Sequence, residues 1–306
     1  MFGDYLDKVR RQKPLIHNIT NYVTARDCAN ILLACGASPI MADDPNEAKE
    51  VTEACDGLTI NMGTLNERRL TAMETAGLRA NELGKPVVLD PVGAGVSSFR
   101  LEAAERLMKK VQFRAIRGNF SEIETLAGIL NILSDREEKK NGGGRGVDAA
   151  AENVNPTEFP DFEKKIDLVR RLAAKTGAVV AATGTVDLVT DAEKVFCIDN
   201  GHSMMGRITG AGCQLSALVT AFLAAEDMDM RRRAEGVFSE RHAAGGMTKD
   251  REAVAAAVCM MGLCGEQAYQ RMMPADGSGM YGIYLTDAVF SLTSEELERG
   301  GRYELR

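Results

Sequence analysis

Short apolar runs that alternate with amphipathic helical segments constrain the fold of this chain more than any other feature. The runs Pro86–Leu89 and Ala178–Ala182 are apolar on both faces, as strands buried within a parallel sheet are. Segments with the helical spacing of apolar residues lie between such runs. The pattern therefore predicts an α/β fold with a central, mostly parallel sheet flanked by helices on both faces.

The individual elements follow from the same pattern. The predicted strands are Ser38–Met41, Gly57–Met62, Pro86–Leu89, Arg114–Ile116 and Ala178–Ala182. The predicted helices are Thr24–Cys35, Asn46–Ala54, Glu67–Leu83, Phe99–Val111, Phe120–Leu133 and Phe162–Lys175. After Thr183, two apolar runs around a polar turn, Val186–Thr190 and Lys194–Ile198, predict a β-hairpin at the edge of the sheet.

A polar stretch, residues 134–161, contains the glycine run Asn141–Gly144. We expect this stretch to be a flexible surface insertion rather than a linker between domains. The whole chain, residues 1–306, is therefore expected to form a single domain, and the role of the insertion stays open.

Composition excludes several classes of protein. The formal net charge is −7, so the chain has no basic excess with which to bind a nucleic acid. The longest uncharged apolar stretches span about 13 residues, which is too short for a transmembrane helix. Seven cysteines without a C-x-x-C pair are typical of reduced thiols. We therefore expect a cytoplasmic protein that binds neither nucleic acids nor membranes.

A glycine-rich turn, Gly206–Cys213, leads directly into an apolar helical segment, Gln214–Ala225. The first N–H groups of a helix have no partner within it, and the helix dipole adds positive potential there. Glycine lets an anion approach such a backbone closely. The turn predicts a phosphate site at the N–H groups of Ala211, Gly212 and Cys213, although a loop that merely packs against the sheet has the same pattern. The chain lacks both the P-loop motif and a complete dinucleotide fingerprint.

Polar residues follow several predicted strands, at the edge where open parallel sheets bind ligands. Asp90 suits a Mg²⁺ contact, although an Asp-Pro turn explains it equally well. Arg117 suits a polyphosphate clamp, although most arginines are surface charges. Glu122 follows Asn119 at the spacing of a capping box, yet it would also face the crevice and could hold metal-bound water. Cys213 need not be a thiolate, because a bound polyphosphate would oppose its ionisation.

Several motifs in register resemble those of the hydroxyethylthiazole kinases, over about residues 14 to 290. They are Pro14–Asn21, Gly36–Met41, Asn61–Leu65, Leu89–Gly95, Arg117–Asn119 with Glu122, Thr183–Gly184 with Val186–Asp187, and Thr209–Cys213. That family has a ribokinase-like fold and phosphorylates the hydroxyl of 4-methyl-5-(2-hydroxyethyl)thiazole with ATP and Mg²⁺, in thiamine salvage. The resemblance implies the same reaction here, and a homotrimer with active sites at the subunit interfaces.

The resemblance also implies roles for individual residues. It places Met41 and Gly210 at the thiazole, Arg117, Thr183 and Asn21 at ATP, and Asp90 and Glu122 at the metal. The N–H groups of Ala211, Gly212 and Cys213 would receive the transferring phosphoryl group. Related sugar kinases carry Asp where Cys213 stands, and a thiol accepts a proton less readily than a carboxylate. Positioning rather than a base is therefore expected to drive the transfer.

Two alternatives remain open. One is a kinase of the same fold for another small alcohol, such as hydroxymethylpyrimidine, pyridoxal or a sugar. The other is a non-catalytic sensor of the thiazole or of a nucleotide. The segments Met230–Gly246 and Asp276–Ile283, which would form the C-terminal wall of the substrate site, match the family more loosely than the other motifs do. The nucleotide preference and the ionisation state of Cys213 are not set by the sequence.

Overall fold

The computed structural model describes residues 1–132, 160–233 and 245–306. Almost all of the predicted insertion, residues 134–161, lies outside the described residues, as does much of the segment 230–246. Within the described part of the chain, no helix is long and apolar enough to cross a membrane.

The described strands form one sheet in the order β2-β1-β3-β4-β5-β6-β7-β8-β9. They are β1 (Leu15–Ile19), β2 (Ser38–Ile40), β3 (Gly57–Asn61), β4 (Val87–Asp90), β5 (Ala115–Asn119), β6 (Val179–Thr183), β7 (Asp187–Thr190), β8 (Val195–Ile198) and β9 (Tyr303–Leu305). Strands β1 to β6 are mutually parallel, and β7, β8 and β9 add antiparallel pairs beyond β6. The predicted, mostly parallel α/β sheet is confirmed.

Helices cover both faces of this sheet. They are α1 (Phe2–Gln12), α2 (Ala25–Cys35), α3 (Ala48–Ala54), α4 (Glu67–Glu82), α5 (Ser98–Lys110), α6 (Phe120–Ile129), α7 (Pro160–Thr176), α8 (Ala211–Arg233), α9 (Gly245–Gln270), α10 (Ser278–Ser291) and α11 (Ser294–Gly300). One buried apolar cluster joins the sheet to α1, α2 and α8 to α11. The other joins the opposite face to α3 to α7. Strands β1 and β4 to β8 therefore contribute side chains to two separate cores, one on each face of the sheet.

Strands β1 and β9 and helix α1 were not predicted from the sequence, and helices α9 to α11 were not predicted individually. Strand β1 carries His17 and Asn18 in its centre, which interrupts the apolar run that marks a buried strand. Helix α1 is mostly charged, but Leu6 and Val9 are completely buried on one face. Strand β9 pairs with β8, so the β7–β8 hairpin lies at this end of the sheet with one more strand outside it.

The parallel strands bring the polar residues at their carboxyl ends to one edge. Asn61 of β3 lies beside Asp90 of β4, and Asn119 of β5 lies beside Thr183 of β6. Strands β4 and β5 extend further than predicted, so these residues belong to the strands themselves. Helix α8 packs against β1, β3 and β4, and its first turn reaches this same edge.

Candidate active site

The first turn of α8 presents free N–H groups. The first hydrogen bond of the helix runs from the Gln214 N–H to the Gly210 carbonyl, at 2.8 Å. Among the described residues, the N–H groups of Ala211, Gly212 and Cys213 therefore have no acceptor. All three residues are only partly buried, so a ligand can reach them. The geometry meets the requirement of the predicted anion site.

Two glycines allow this turn to form. Gly210 has φ +88°, and a Cβ there would lie 2.6 Å from Cγ2 of Thr24. A Cβ at Gly212 would overlap the guanidinium of Arg117. Glycine is therefore needed at the first position for its backbone angle and at both positions for space.

Asp90 is completely buried at the end of β4. Its Oδ2 accepts hydrogen bonds from Nδ2 of Asn61 at 2.6 Å and from Oγ of Ser216 at 2.9 Å. Its Oδ1 has no hydrogen-bond donor among the described residues, and Nη1 of Arg117 lies 3.9 Å away. Burial raises the pKa of Asp90, and the charge of Arg117 opposes that rise. A buried carboxylate oxygen without a partner is a good candidate for a cation ligand.

Glu122 belongs to a capping box and also faces Asp90. Its Oε2 accepts from the Asn119 N–H at 2.8 Å, and the Glu122 N–H donates to Oδ1 of Asn119 at 2.9 Å. Its Oε1 accepts from the Gly93 N–H at 3.0 Å. Burial, and then the negative charge of Asp90, raise the pKa of Glu122 to about 6. The capping box is therefore present, and each oxygen of Glu122 keeps a lone pair that metal-bound water could use.

Arg117 lies between the α8 turn and the carboxylates. Its Nη2 donates to Oγ1 of Thr183 on the neighbouring strand at 2.7 Å. Its side chain is only 12% exposed, and its guanidinium lies against Gly212. The charge is therefore held in a fixed place beside the free N–H groups, as a phosphate clamp requires.

Cys213 accepts hydrogen bonds at its sulfur. Nδ2 of Asn21 and Nδ2 of Asn61 each lie 3.2 Å from Sγ. Burial, and then the charge of Asp90, raise the pKa of Cys213. The thiol is therefore the form expected at neutral pH. The resemblance assigns Asn21 to ATP. In this chain the side chain of Asn21 contacts Sγ of Cys213, in the first turn of α8.

The structure brings most of the predicted site residues into one network. The joined residues are Asn21, Asp90, Arg117, Glu122, Thr183, Gly212 and Cys213, with Gly210 and Ala211 in the same turn. Met41 follows the edge strand β2 and is 37% exposed. In the described part of the chain, no hydrogen bond or ion pair links Met41 to this network.

Two residues of the network were not predicted as site residues. Asn61 stands in a polar segment at a strand end, so position alone could have suggested it. Ser216 lies four residues after Gly212, in an apolar helix, where a single serine gives no signal. Both act on Asp90 through hydrogen bonds.

Comparison with known proteins identifies the family of this chain. The model of the hydroxyethylthiazole kinase family matches residues 6–252. A hydroxyethylthiazole kinase of Clostridium acetobutylicum is 43% identical over 305 residues, which cover 99% of each chain. The solved structure of a hydroxyethylthiazole kinase protein from Pyrococcus horikoshii OT3 has a TM-score of 0.76 and 32% identity, and covers 100% of this chain and 98% of that one.

A more distant structure shows the fold alone. A ribokinase-like superfamily protein from Enterococcus faecalis V583 has a TM-score of 0.53 at 12% identity, and covers 94% of this chain and 90% of its own. The ribokinase-like fold is thus shared beyond thiazole kinases. The family match spans most of the chain and the relatives match along its whole length, so the chain belongs to the hydroxyethylthiazole kinase family.

Proposed function

We propose that this chain is a phosphotransferase that moves the γ-phosphoryl group of ATP to the hydroxyl of 4-methyl-5-(2-hydroxyethyl)thiazole. Membership of the hydroxyethylthiazole kinase family supports the substrate. The observation that carries the proposal is the first turn of α8, where the N–H groups of Ala211–Cys213 have no acceptor among the described residues. Beside that turn stand Arg117 and the unpartnered Oδ1 of Asp90.

We propose ATP and Mg²⁺ as the cofactors. The donor set fits Mg²⁺, which prefers one or two carboxylates together with phosphate oxygens and water. Asp90 would hold it through Oδ1, and Glu122 would hold its bound water. When bound, such a cation neutralises charge that develops on the phosphates.

The residues of this chain supply positioning and electrostatic stabilisation. Arg117, held by Thr183, grips the polyphosphate, and the N–H groups of Gly212 and Cys213 point to the phosphoryl group. The alcohol oxygen forms a bond to the γ-phosphorus, while the bond from that phosphorus to the ADP oxygen breaks. One donor of this preorganised kind contributes about 3–4 kcal/mol to transition-state stabilisation.

A strong base is not part of this mechanism. The sulfur of Cys213 already accepts two hydrogen bonds, and its raised pKa keeps the proton on it. The transition state of phosphoryl transfer is loose, so the alcohol proton can leave late.

The proposal is tested by ADP release from the purified protein. We expect release that needs both the thiazole alcohol and Mg²⁺. A panel with hydroxymethylpyrimidine, pyridoxal and a sugar measures substrate specificity. If one of these alcohols were phosphorylated faster than the thiazole, that alcohol and not the thiazole would be the preferred substrate. Binding of the thiazole without any ADP release would instead support a sensor.

We also propose a homotrimer with interfacial active sites. Exposed apolar side chains next to the site support a subunit contact there, since Tyr22 is 65% and Val23 is 63% exposed. The exposed Met41 would then meet its substrate in a site completed by a neighbouring subunit. A single domain and a cytoplasmic location remain predictions from the sequence.

A further inference from the structure

We propose that Asn61 and Ser216 are positioning residues, which hold the Asp90 carboxylate so that only its Oδ1 is free for the phosphate site. The inference rests on the proposed kinase function, because it assigns Asp90 to the cation that accompanies ATP. It concerns how this chain keeps the ion pair between Asp90 and Arg117 at 3.9 Å, without a direct hydrogen bond between the two side chains.

Every hydrogen-bonding position of the Asn61 amide is used. Nδ2 donates to Oδ2 of Asp90 at 2.6 Å and to Sγ of Cys213 at 3.2 Å. Oδ1 accepts from the Gly63 N–H at 2.9 Å and from Nδ2 of Asn21 at 3.2 Å. The orientation is fixed, because a backbone N–H can only donate and an ionised carboxylate can only accept. Asn61 is also completely buried, so water does not replace these bonds.

Ser216 ties the same carboxylate oxygen to helix α8. Its Oγ donates to Oδ2 of Asp90 at 2.9 Å. Ser216 lies one turn after Gly212, on the helix whose first N–H groups form the anion site. One turn further, Oγ1 of Thr220 lies 2.7 Å from Oγ1 of Thr59 on β3. The Ser216 bond therefore joins the carboxylate directly to the helix that bears the anion site, whereas the Thr220–Thr59 bond does not reach Asp90.

Without these two donors, the carboxylate could turn toward Arg117. Nη1 of Arg117 is 3.9 Å from Oδ1 of Asp90, which is just beyond hydrogen-bond distance. A direct, bidentate pair between the two groups is the most stable alternative for both in a buried place. Such a pair would occupy Oδ1 and withdraw Arg117 from the phosphates. Asn61 and Ser216 prevent the bidentate pair, because both of their hydrogen bonds occupy Oδ2.

The test compares Asn61→Ala and Ser216→Ala with a matched control, Thr220→Val. The control removes a buried hydroxyl from the same face of α8. Oγ1 of Thr220 bonds to Oγ1 of Thr59 and to the Ser216 carbonyl, and not to Asp90. Binding of Mn²⁺ to each protein with ADP is measured by electron paramagnetic resonance, alongside kcat, KM and thermal unfolding. Loss of a group that orients a metal ligand typically costs about 10–100-fold in metal affinity or activity.

We expect Asn61→Ala and Ser216→Ala to weaken Mn²⁺ binding and lower kcat by that factor, while KM for the thiazole changes little. Thr220→Val should lose thermal stability but bind Mn²⁺ as the unaltered protein does. Unchanged Mn²⁺ binding in a folded Asn61→Ala or Ser216→Ala protein would overturn the inference, and so would equal losses in all three variants. Failure of the proposed function is a separate result, namely an unaltered protein that binds Mn²⁺ with ADP but phosphorylates no thiazole.

Discussion

At the scale of single residues, Cys213 shows how the surroundings of a group decide its role. It opens α8, where the helix dipole favours an anionic sulfur. Burial and the nearby carboxylate of Asp90 act in the opposite direction and raise its pKa. The amides of Asn21 and Asn61 also occupy the sulfur as an acceptor. Cys213 is thus better suited to shaping the anion site than to removing a proton.

We predict that Cys213→Ser keeps a measurable rate, within about 10-fold of the unaltered protein, because the serine N–H still serves the phosphoryl group. Gly212→Val should lose far more, since its side chain would collide with Arg117 and crowd the phosphate. Steady-state ADP release gives both rates, with circular dichroism as the check on folding. Abolished turnover in a folded Cys213→Ser protein would show that the thiol does chemistry.

His17 gives a prediction about stability rather than catalysis. It is completely buried, its Nε2 lies 2.8 Å from the Ala42 carbonyl and its Nδ1 lies 2.9 Å from Oγ1 of Thr52. Burial lowers the pKa of His17 below its usual value. The unfolded chain therefore binds a proton at a higher pH than the folded one does. Stability is fully present above the unfolded pKa of about 6.5 and is lost as the pH falls through the lower folded value.

We therefore expect His17→Gln to lose less stability than the unaltered protein when the pH falls from 7.5 to 5. Urea unfolding at both pH values gives the free energy of unfolding of each protein. The change in that free energy between pH 7.5 and pH 5 is compared, because the substitution also changes stability at pH 7.5. Equal changes would mean that the pKa of His17 is the same in the folded and unfolded protein.

At the scale of elements, strands were predicted from the sequence most accurately where one physical signal dominates. Strands β4 and β6 are apolar on both faces and were found within about two residues at each end, which is the usual uncertainty of strand and helix boundaries. Strand β1 was missed because the polar His17 and Asn18 are buried in it, and a pattern of hydropathy counts such residues as surface.

The same limit applies to the site. Asp90, Arg117 and Glu122 were singled out because charged residues at strand ends and helix starts are conspicuous. Asn61 and Ser216 were not, because their importance depends on contacts between β3, β4 and α8 that only the folded chain creates. A sequence shows which groups can carry charge, but not which neutral groups orient them.

The first turn of α8 gives a prediction for an element. Gly210→Ala places a Cβ at φ +88° and 2.6 Å from Cγ2 of Thr24. The left-handed backbone angle alone costs about 1–2 kcal/mol for a residue with a Cβ. We expect lower thermal stability and a lower kcat, because the turn must shift to relieve the contact.

Thr24→Ser removes the Cγ2 atom and provides the matched test. In the Gly210→Ala background, Thr24→Ser should recover part of kcat. The contact between the new Cβ and Cγ2 of Thr24 is then removed, while the cost of the backbone angle remains. Thermal unfolding and ADP release of the single and double variants separate the effect of the steric contact from that of the backbone angle. No recovery would mean that the contact with Thr24 does not limit the position of the turn.

At the scale of the whole molecule, Met41 lies on the outer side of the sheet, whereas Asp90, Arg117 and Thr183 lie on the central strands β4 to β6. Strand β2 ends the sheet on one side, and Met41 follows it with 37% of its surface exposed. Tyr22 and Val23 are more exposed still, directly after Asn21. Exposed apolar side chains next to a binding site commonly mark a subunit interface. In the proposed trimer, a neighbouring subunit would cover this exposed apolar surface and complete the wall of the substrate site.

One added charge at each of two exposed apolar positions, Val23 and Leu101, tests whether the substrate site is shared between subunits. Val23→Asp should weaken a contact at the site, because an aspartate buried without a partner is strongly unfavourable. We expect a smaller mass by size-exclusion chromatography with light scattering, together with a higher KM for the thiazole. Leu101→Asp, on α5 and 42% exposed, adds the same charge on the opposite face and should change neither. A protein that is monomeric before any substitution, or a Val23→Asp variant with unaltered mass and KM, would contradict a substrate site shared between subunits.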